Sequence, residues 1–409
     1  MARAQSPRIF YGWFVVAASF VVTSTLGETF WSFGVFFKPL EDEFGWSRTL
    51  VSSGYVAFQL GYAISAVASG RLVDRYNPRL ILLGSAVLAG LGISLCSRVT
   101  EIGQLRLFLL VGGLGSGATW SVPSSVVQRW FYGRHRAGLA LGIVTTGVGA
   151  GALVFAPLIN YLILSYGWRN AYLVVGILFF SIIALSSFVI KRSPIGTGTD
   201  LRVKEGIQVS TSVPDWSTGK AVITVSFVGI TLSACAAVLA FQVVSVHLAP
   251  YATDVGITPT VAAAALGLMG GFSVPGRILS GFVSDRIGWQ KTQALSLLGL
   301  AVSIIWLIFM RAPWMLYTFA FLYGICHGSR VTTWVGILSQ FFGMRSLGEL
   351  IGLSSGIGQA VAAFAPYMAG FVFDATGSYL IAFIIVMVLL LGAALVAAMI
   401  KPPPISQNS

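Results

Sequence analysis

Long apolar runs constrain this chain more than any other feature of its sequence. Twelve runs reach the roughly 18 residues that an α-helix needs to cross a bilayer. Because only 9% of the residues are charged, a water-soluble globule of 409 residues is excluded. We therefore predict an all-α membrane protein with twelve transmembrane helices, near residues 11–37, 49–70, 79–98, 105–131, 137–163, 170–190, 220–250, 260–281, 292–310, 315–342, 349–374 and 380–400.

A polar stretch separates the sixth apolar run from the seventh. It is rich in Gly, Ser, Thr and Pro, a composition that is typical of a linker. The sequence thus predicts an N-terminal six-helix half over residues 1–190, a cytoplasmic linker over 191–219 and a C-terminal six-helix half over 220–409.

The two halves are related by an internal repeat. Adding 211 to a residue number in the first half converts GRLVDR at 70–75 into GFVSDR at 281–286, and Pro39 into Pro250. Since six is an even number of crossings, both halves enter the membrane from the same side. Paired six-helix pseudo-repeats of this kind are typical of transporters that move around a site at the bilayer midplane.

The basic residues are unevenly distributed between the two sides of the predicted helices. Of 25 Lys and Arg, 17 lie in segments on the side of the N-terminus and six on the opposite side. The positive-inside rule then predicts an integral, multi-pass protein of the plasma (inner) membrane with both termini in the cytoplasm. The net charge of +12 has the same origin, since no basic segment outside the membrane is long enough to follow nucleic-acid phosphates.

The sequence contains no motif of an enzyme or of a cofactor site. Cys96, Cys235 and Cys326 lie in apolar runs without metal-ligand spacing, and we expect them to be small buried side chains. No nucleotide-binding, zinc-protease or nucleophile motif occurs. We expect no catalysis, no cofactor, no metal and no obligatory protein partner.

The duplicated loop resembles the inner-loop motif of the major facilitator superfamily. The YGW of residues 11–13, the VFFK of 35–38 and the WFYGRHRAGLALG of 130–142 further resemble motifs of monocarboxylate transporters and their bacterial oxalate/formate-type relatives. This resemblance runs over essentially the whole chain and implies the twelve-helix fold. In the superfamily the loop motif acts in conformational cycling, which implies gating roles for Asp74, Arg75, Asp285 and Arg286.

Arg277 is the strongest candidate for substrate binding. It lies inside the eighth predicted helix, and the repeat matches it to Ala66. A guanidinium keeps its charge in a protein, and its planar fork suits a carboxylate. The resemblance implies the same role, because the family's carboxylate-binding arginine falls at Arg277. A purely structural ion pair is the alternative.

Two positions depart from the animal members of that family. Their aspartate one turn before the arginine corresponds to Ser273, and their helix-1 lysine corresponds to Trp31, which we expect to line the substrate path. The proton-coupling groups must therefore differ. The nearest replacements are Glu28 in the first helix and His247 in the seventh, either of which can exchange a proton or contact substrate.

The tenth predicted helix carries weaker candidates for the substrate path. Arg330 and His327 are three residues apart and share a helix face, while the repeat sets Thr119 opposite Arg330 in the fourth helix. We include Arg330 and Thr119 among the expected substrate-binding residues.

These features predict a secondary transporter of small monocarboxylates such as lactate or pyruvate, with proton symport by alternating access. Its expected partners are the carboxylate substrate, protons and the bilayer. One alternative is a carboxylate/carboxylate exchanger of the oxalate/formate type, since Arg330 adds a second cation. The other is a carboxylate sensor that does not transport, which would need a larger cytosolic domain than the 191–219 linker.

Overall fold

The computed structural model describes residues 10–131, 137–191, 216–343 and 346–403. Most of these residues are helical. The helices are α1 Gly12–Trp31, α2 Phe33–Phe44, α3 Arg48–Arg75, α4 Pro78–Leu95, the 3₁₀ turn Cys96–Arg98, α5 Ile102–Ser116, α6 Ala118–Trp130, α7 Ala137–Val189, α8 Thr218–Val222, α9 Val225–Asp254, α10 Pro259–Ile287, α11 Trp289–Ile308, α12 Pro313–Phe342, α13 Leu347–Ala362, α14 Ala365–Thr376 and α15 Leu380–Met399.

The described helices account for the twelve predicted crossings. The first, fourth and eleventh are each built from two consecutive helices, α1 with α2, α5 with α6, and α13 with α14. Helix α7 spans 53 residues and contains the fifth and sixth crossings, because the backbone turns at Gly167 with φ 80° and ψ 158°. Only glycine adopts such angles at little cost. Within the described residues, ten segments are long and apolar enough to cross a membrane by length and composition, and the one at Leu139–Val189 contains that turn.

Helix ends follow local sequence cues. Pro78, Pro259 and Pro313 each begin a helix, where the missing N–H leaves no hydrogen bond unmade. The Thr224 hydroxyl accepts from the Phe227 N–H at the start of α9. Gly45 ends α2 in the left-handed conformation with φ 63°.

The chain forms two compact units, and their boundaries fall inside α1, α3 and α7. The first unit contains residues 1–27, 57–151 and 169–204, and the second contains 28–56, 152–168 and 205–409. The boundaries therefore differ from the predicted halves 1–190 and 220–409, and the division into those halves stays a prediction. Of the predicted linker, residues 192–215 lie outside the described part of the chain.

In the first unit, small residues bring helix backbones into contact. Gly115 of α5 packs against the backbone of Ala89 in α4, and Gly151 of α7 packs against the backbone of Ser24 in α1. A side chain at either glycine would collide with main-chain atoms, so these positions hold the helices close.

An aromatic cluster fixes the helix ends that carry two of the motifs. The Tyr11 ring lies 5.4 Å from the Trp130 ring, and the Trp13 ring lies 5.0 Å from the Phe131 ring. The Tyr11 hydroxyl and the Trp130 indole N–H donate to backbone carbonyls at the end of α7, those of Val189 and Lys191. The motifs at 11–13 and 130–131 thus pack α1 and α6 against the end of α7.

In the second unit, α9 packs against α2, α10, α13 and α15, and α10 packs along α12. Gly34 of α2 meets the backbone of Ser245 and Val246 in α9. The short helix α8 is attached to this unit, since the Trp216 N–H donates to the Phe342 carbonyl.

Candidate functional site

Arg277 lies beside a close backbone contact between α10 and α12. Its neighbour Gly276 meets the backbone of Ile325, and Gly328 of α12 meets the backbone of Ser273. Because two glycines bring the main chains into contact, residues next to them on both helices come close together. Arg277 is half-buried.

A polar face of α12 lies beside Arg277. His327 and Arg330 are each 6% exposed. A positive charge on either side chain lies close enough to the charge of Arg277 for the two charges to repel each other. Within the described residues, His327 Nδ1 and Arg330 Nε are buried and make no hydrogen bond. The structure therefore brings together Arg277, Arg330 and His327, three groups suited to an anion.

Trp31 is the last residue of α1 and joins this group. Its ring centroid lies 4.7 Å from that of Phe241 and 5.4 Å from that of His327, in edge-to-face arrangements. The Phe241 ring lies 4.6 Å from the His327 ring. Trp31 and Phe241 thus enclose His327 on two sides, beside the predicted carboxylate ligand.

Glu28 lies one turn before Trp31 on α1 and is 7% exposed. The Thr29 hydroxyl donates to its Oε2 at 3.3 Å. No Lys or Arg forms an ion pair with Glu28 in the described part of the chain, and the phenol of Tyr55 lies near enough to interact with its charge.

Tyr55 begins a buried hydrogen-bond chain that sequence analysis did not identify. Its hydroxyl donates to Gln242 Oε1 at 2.7 Å, and Gln242 Nε2 donates to Gln359 Oε1 at 3.4 Å. These two hydrogen bonds link α3, α9 and α13. In the sequence, each of these three polar residues lies in a different apolar run. The sequence does not show that they pair with one another.

His247 is fully buried in α9, and both ring nitrogens are hydrogen-bonded. Nε2 lies 2.8 Å from the Pro366 carbonyl, so it must be the protonated nitrogen. Nδ1 lies 2.8 Å from the Tyr379 hydroxyl and accepts from it when the imidazole is neutral. The structure therefore places His247 with Tyr379 and Pro366.

Tyr379 connects His247 to a buried arginine, Arg48, which sequence analysis did not identify as a site residue. Arg48 is 2% exposed and donates from Nη1 to the Tyr379 hydroxyl at 2.9 Å. Its guanidinium pairs in two-pronged fashion with Asp254, and its Nε donates to Glu41 Oε1 at 3.1 Å. We call Arg48, Glu41, Asp254, Tyr379 and His247 the Arg48 cluster.

The cluster is reinforced from α14. The Arg48 guanidinium carbon lies 3.7 Å from the centre of the Phe373 ring. The Asp374 carboxylate accepts from the backbone N–H groups of Arg48 and Thr49 at 3.0 and 2.9 Å. The start of α3 is thus tied to α2, α9, α14 and the start of α15.

Two titratable groups at the edge of this cluster have shifted pKa values. Burial lowers the pKa of Lys38, but the hydrogen bond and charge of Glu41 and the charge of Asp254 outweigh it and raise the pKa overall. Burial raises the pKa of Tyr379 above its ordinary value despite the nearby Arg48. Tyr379 therefore stays a neutral hydroxyl that can donate to His247.

The remaining predicted residues lie on α3, α6 and α10. Thr119 of α6 is fully buried in the first unit, and its hydroxyl donates to the Ser116 carbonyl. Asp285 and Arg286 are exposed at the end of α10, and Arg75 is exposed at the end of α3. The side chain of Asp74 lies outside what the structure describes.

The family is decided by a sequence match that covers most of the chain. The sequence model of the Major Facilitator Superfamily matches residues 13–313 and 230–409. This chain belongs to the Major Facilitator Superfamily. The predicted twelve-helix, two-repeat fold is thereby confirmed, and the protein is a multi-pass membrane transporter of this superfamily.

Among curated relatives within the superfamily, Monocarboxylate transporter 13 of Bos taurus is 25% identical over 391 residues, which cover 94% of this chain and 88% of the relative. The oxalate:formate antiporter of Oxalobacter formigenes is 25% identical over 291 residues, which cover 69% of this chain and 66% of the relative. The resemblance to monocarboxylate transporters and oxalate/formate-type proteins is confirmed.

Solved superfamily structures share the fold. A D-xylose–proton symporter superposes with a TM-score of 0.75 at 15% identity, with 96% of this chain and 98% of that chain covered. A bacterial homologue of the human lysosomal transporter Spinster, inward-facing and unoccupied, gives a TM-score of 0.73 at 15% identity, with 97% of each chain covered. At this identity they support the fold alone.

Proposed function

We propose that this protein transports small monocarboxylates of the lactate and pyruvate type, with Arg277 as the ligand of the carboxylate. The observation that carries the proposal is the position of Arg277, a half-buried arginine on an apolar membrane-spanning helix. Charged side chains inside membrane-spanning helices commonly mark the path of a substrate or ion. The planar guanidinium of Arg277 can donate two parallel hydrogen bonds to a carboxylate.

The relatives support the same class of substrate. The names of two of them, a monocarboxylate transporter and an oxalate:formate antiporter, specify small carboxylates. The first of these relatives matches 94% of this chain and the second matches 69%. Within the second unit, Trp31 and Phe241 supply apolar surface for a short carbon chain, while Arg277 and Arg330 supply positive charge.

We assign proton symport to Glu28. It is a buried carboxyl group without an ion-pair partner in the described residues, close to the Arg277 group through Trp31 on the same helix. A proton on Glu28 compensates the charge of the transported anion. His247 is less suited, because both of its nitrogens already bond to protein groups.

Alternating access needs a closure at each end of the path. By the distribution of Lys and Arg, the Arg48 cluster lies at the outer ends of the helices and we assign it to the outer closure. The duplicated loop with Asp74, Arg75, Asp285 and Arg286 lies at the cytoplasmic ends and we assign it to the inner closure. In keeping with that orientation, we propose a plasma (inner) membrane location with both termini in the cytoplasm.

The proposal is tested by uptake of radiolabelled lactate into proteoliposomes, with and without an inward proton gradient. Arg277→Ala should abolish uptake, and Arg277→Lys should restore little of it, because an ammonium cannot make the paired hydrogen bonds. The matched control is Arg311→Ala, at an arginine whose guanidinium donates to backbone carbonyls between α11 and α12. Lactate uptake by Arg277→Ala at the rate of Arg311→Ala contradicts the assignment.

A carboxylate/carboxylate exchanger is the second candidate. It is favoured by the nearness of the Arg330 charge to that of Arg277, since two cations suit a dicarboxylate, and by the antiporter among the relatives. Uptake that needs carboxylate inside the vesicles and ignores the proton gradient supports the exchanger. Uptake stimulated by the gradient into empty vesicles supports symport.

A further inference from the structure

The imidazole of His327, near Arg277, has a buried nitrogen that makes no hydrogen bond within the described residues. His327 is only 6% exposed, and its Nδ1 makes no hydrogen bond within the described parts of the chain. A buried polar atom without a hydrogen bond costs free energy, which a ligand that bonds to the atom recovers. His247, the other histidine of the described residues, differs because both of its nitrogens are bonded.

The imidazole of His327 is held in place by packing. The Phe241 ring lies 4.6 Å away at an interplanar angle of 34°, and the Trp31 ring lies 5.4 Å away at 78°. The two rings come from α9 and α1, so three helices fix the orientation of the imidazole. A ring fixed in this way is preorganised to make a hydrogen bond in one direction.

The same nitrogen lies near the proposed carboxylate ligand. Gly328 follows His327 and meets the backbone of Ser273, while Gly276 precedes Arg277 and meets the backbone of Ile325. His327 and Arg277 therefore lie on helices in main-chain contact, within range of each other's charge. A carboxylate bound to Arg277 therefore lies within electrostatic range of this imidazole.

We propose that His327 determines specificity by hydrogen-bonding, through Nδ1, the oxygen on C2 of a 2-hydroxy or 2-oxo monocarboxylate. The inference rests on the proposed function and names the substrate class of that same site. An unprotonated Nδ1 accepts from a 2-hydroxyl group, and a protonated Nδ1 donates to a 2-oxo group, so either tautomer of the ring serves one of the two substrates.

An acid without oxygen on C2 leaves Nδ1 buried and unbonded in the complex. Sites built to bond a substrate hydroxyl reject the analogue that lacks it, because the polar group of the site stays unpaired. We expect lactate and pyruvate to bind at least about tenfold more tightly than propionate, which has the same chain length and charge. The neighbouring Phe241 offers no polar group to replace the lost bond.

The experiment measures competition by lactate, pyruvate and propionate against radiolabelled lactate in counterflow with the purified full-length protein. His327→Phe keeps an aromatic ring between Trp31 and Phe241 but removes both nitrogens. It should weaken lactate and pyruvate binding at least about tenfold and change propionate binding much less, so that the preference disappears. His327→Asn keeps a polar atom near the position of Nδ1 and should restore part of the preference.

The matched control is Tyr323→Phe, one helical turn away, whose buried hydroxyl also makes no hydrogen bond within the described residues. It should leave the preference as in the wild type. Equal binding of all three acids by the wild type overturns the inference without any variant, as does a preference that survives in His327→Phe. Failure of the proposed function gives a different result, in which none of the three acids competes or Arg277→Ala still transports.

Discussion

Arg48 and Asp254 form a two-pronged ion pair, with Nη1 2.6 Å from Oδ2 and Nη2 2.8 Å from Oδ1. The two residues are 206 positions apart and lie at opposite ends of their helices, Arg48 at the start of α3 and Asp254 at the end of α9. A bidentate pair with a nearly inaccessible guanidinium is stronger and more directional than an exposed ion pair. This contact is the centre of the closure that we assign to the outer side.

Asp254→Asn should weaken this closure. The change removes the negative charge that compensates buried Arg48, and loss of one charge-assisted hydrogen bond costs about 1.5–3 kcal/mol. We expect a lower unfolding temperature in detergent and faster labelling of a cysteine introduced at Thr49, next to Arg48. The matched control is Lys38→Gln, which removes a more exposed partner of the same carboxylate, 3.4 Å away, and should change stability by no more than about 1 kcal/mol. Equal effects of the two variants contradict the central role of Arg48.

Tyr379→Phe tests the connection from Arg48 to His247. The phenol hydroxyl accepts from Arg48 and donates to His247 Nδ1, so its removal leaves two buried polar groups with one hydrogen bond fewer. We expect a loss of about 1–3 kcal/mol in the free energy of unfolding, measured by denaturation in detergent. Tyr367→Phe, at an exposed tyrosine of α14, is the control. A Tyr379→Phe variant as stable as this control shows that the hydrogen-bond connection contributes nothing.

Sequence alone located the candidate site unevenly, and the reason is physical. Arg277 and Arg330 were identified because a guanidinium inside an apolar run is conspicuous and expensive. Arg48 was missed as a buried group because it begins an apolar run, where arginine is ordinary. Its partners Glu41, Asp254 and Tyr379 also lie in segments that the sequence predicts as loops or helix ends. Only the structure shows that these residues come together around Arg48.

The fold was easier to predict than the pairing of its residues. Hydrophobic length gave the twelve crossings, and the turn at Gly167 divides α7 between the predicted fifth and sixth. The environment of His247 was not predictable, because its partners Pro366 and Tyr379 come from the eleventh crossing and the residues after it. Hydrogen bonds between distant helices leave no periodic pattern in a single sequence.

Gly276→Ala tests the contact that brings Arg277 near α12. A methyl group at this position collides with the backbone of Ile325, which cannot move aside as a flexible side chain would. Overpacking of this kind costs about 1–3 kcal/mol, so we expect a lower unfolding temperature. Gly281→Ala on the same helix is the control, since no atom outside the helix backbone lies within 4 Å of the added methyl group. A stability of Gly276→Ala equal to that of Gly281→Ala contradicts close packing of α10 on α12.

Asp285→Asn tests the inner closure. Asp285 is eight residues beyond Arg277 on α10, about 12 Å along the helix axis, which is too far to touch the substrate. We expect the maximal transport rate to change by about threefold or more while substrate affinity stays nearly constant, because conformational steps set the turnover of many such cycles. Asp42→Asn, an exposed aspartate on α2, is the control. Altered lactate affinity with unchanged turnover refutes the gating assignment.

Glu28→Gln tests the coupling of transport to protons. The amide keeps the size of the side chain and can still bond the Thr29 hydroxyl, but it cannot take up or release a proton. We expect lactate exchange between two pools at equal pH to continue, while accumulation driven by a proton gradient is lost. His247→Gln is the matched comparison, since it removes the other candidate carrier from α9. If gradient-driven accumulation survives in Glu28→Gln and disappears in His247→Gln, the proton is carried by the Arg48 cluster instead. If gradient-driven accumulation survives in both variants with unchanged pH dependence, neither residue carries the proton. The assignment of proton symport to Glu28 is then wrong.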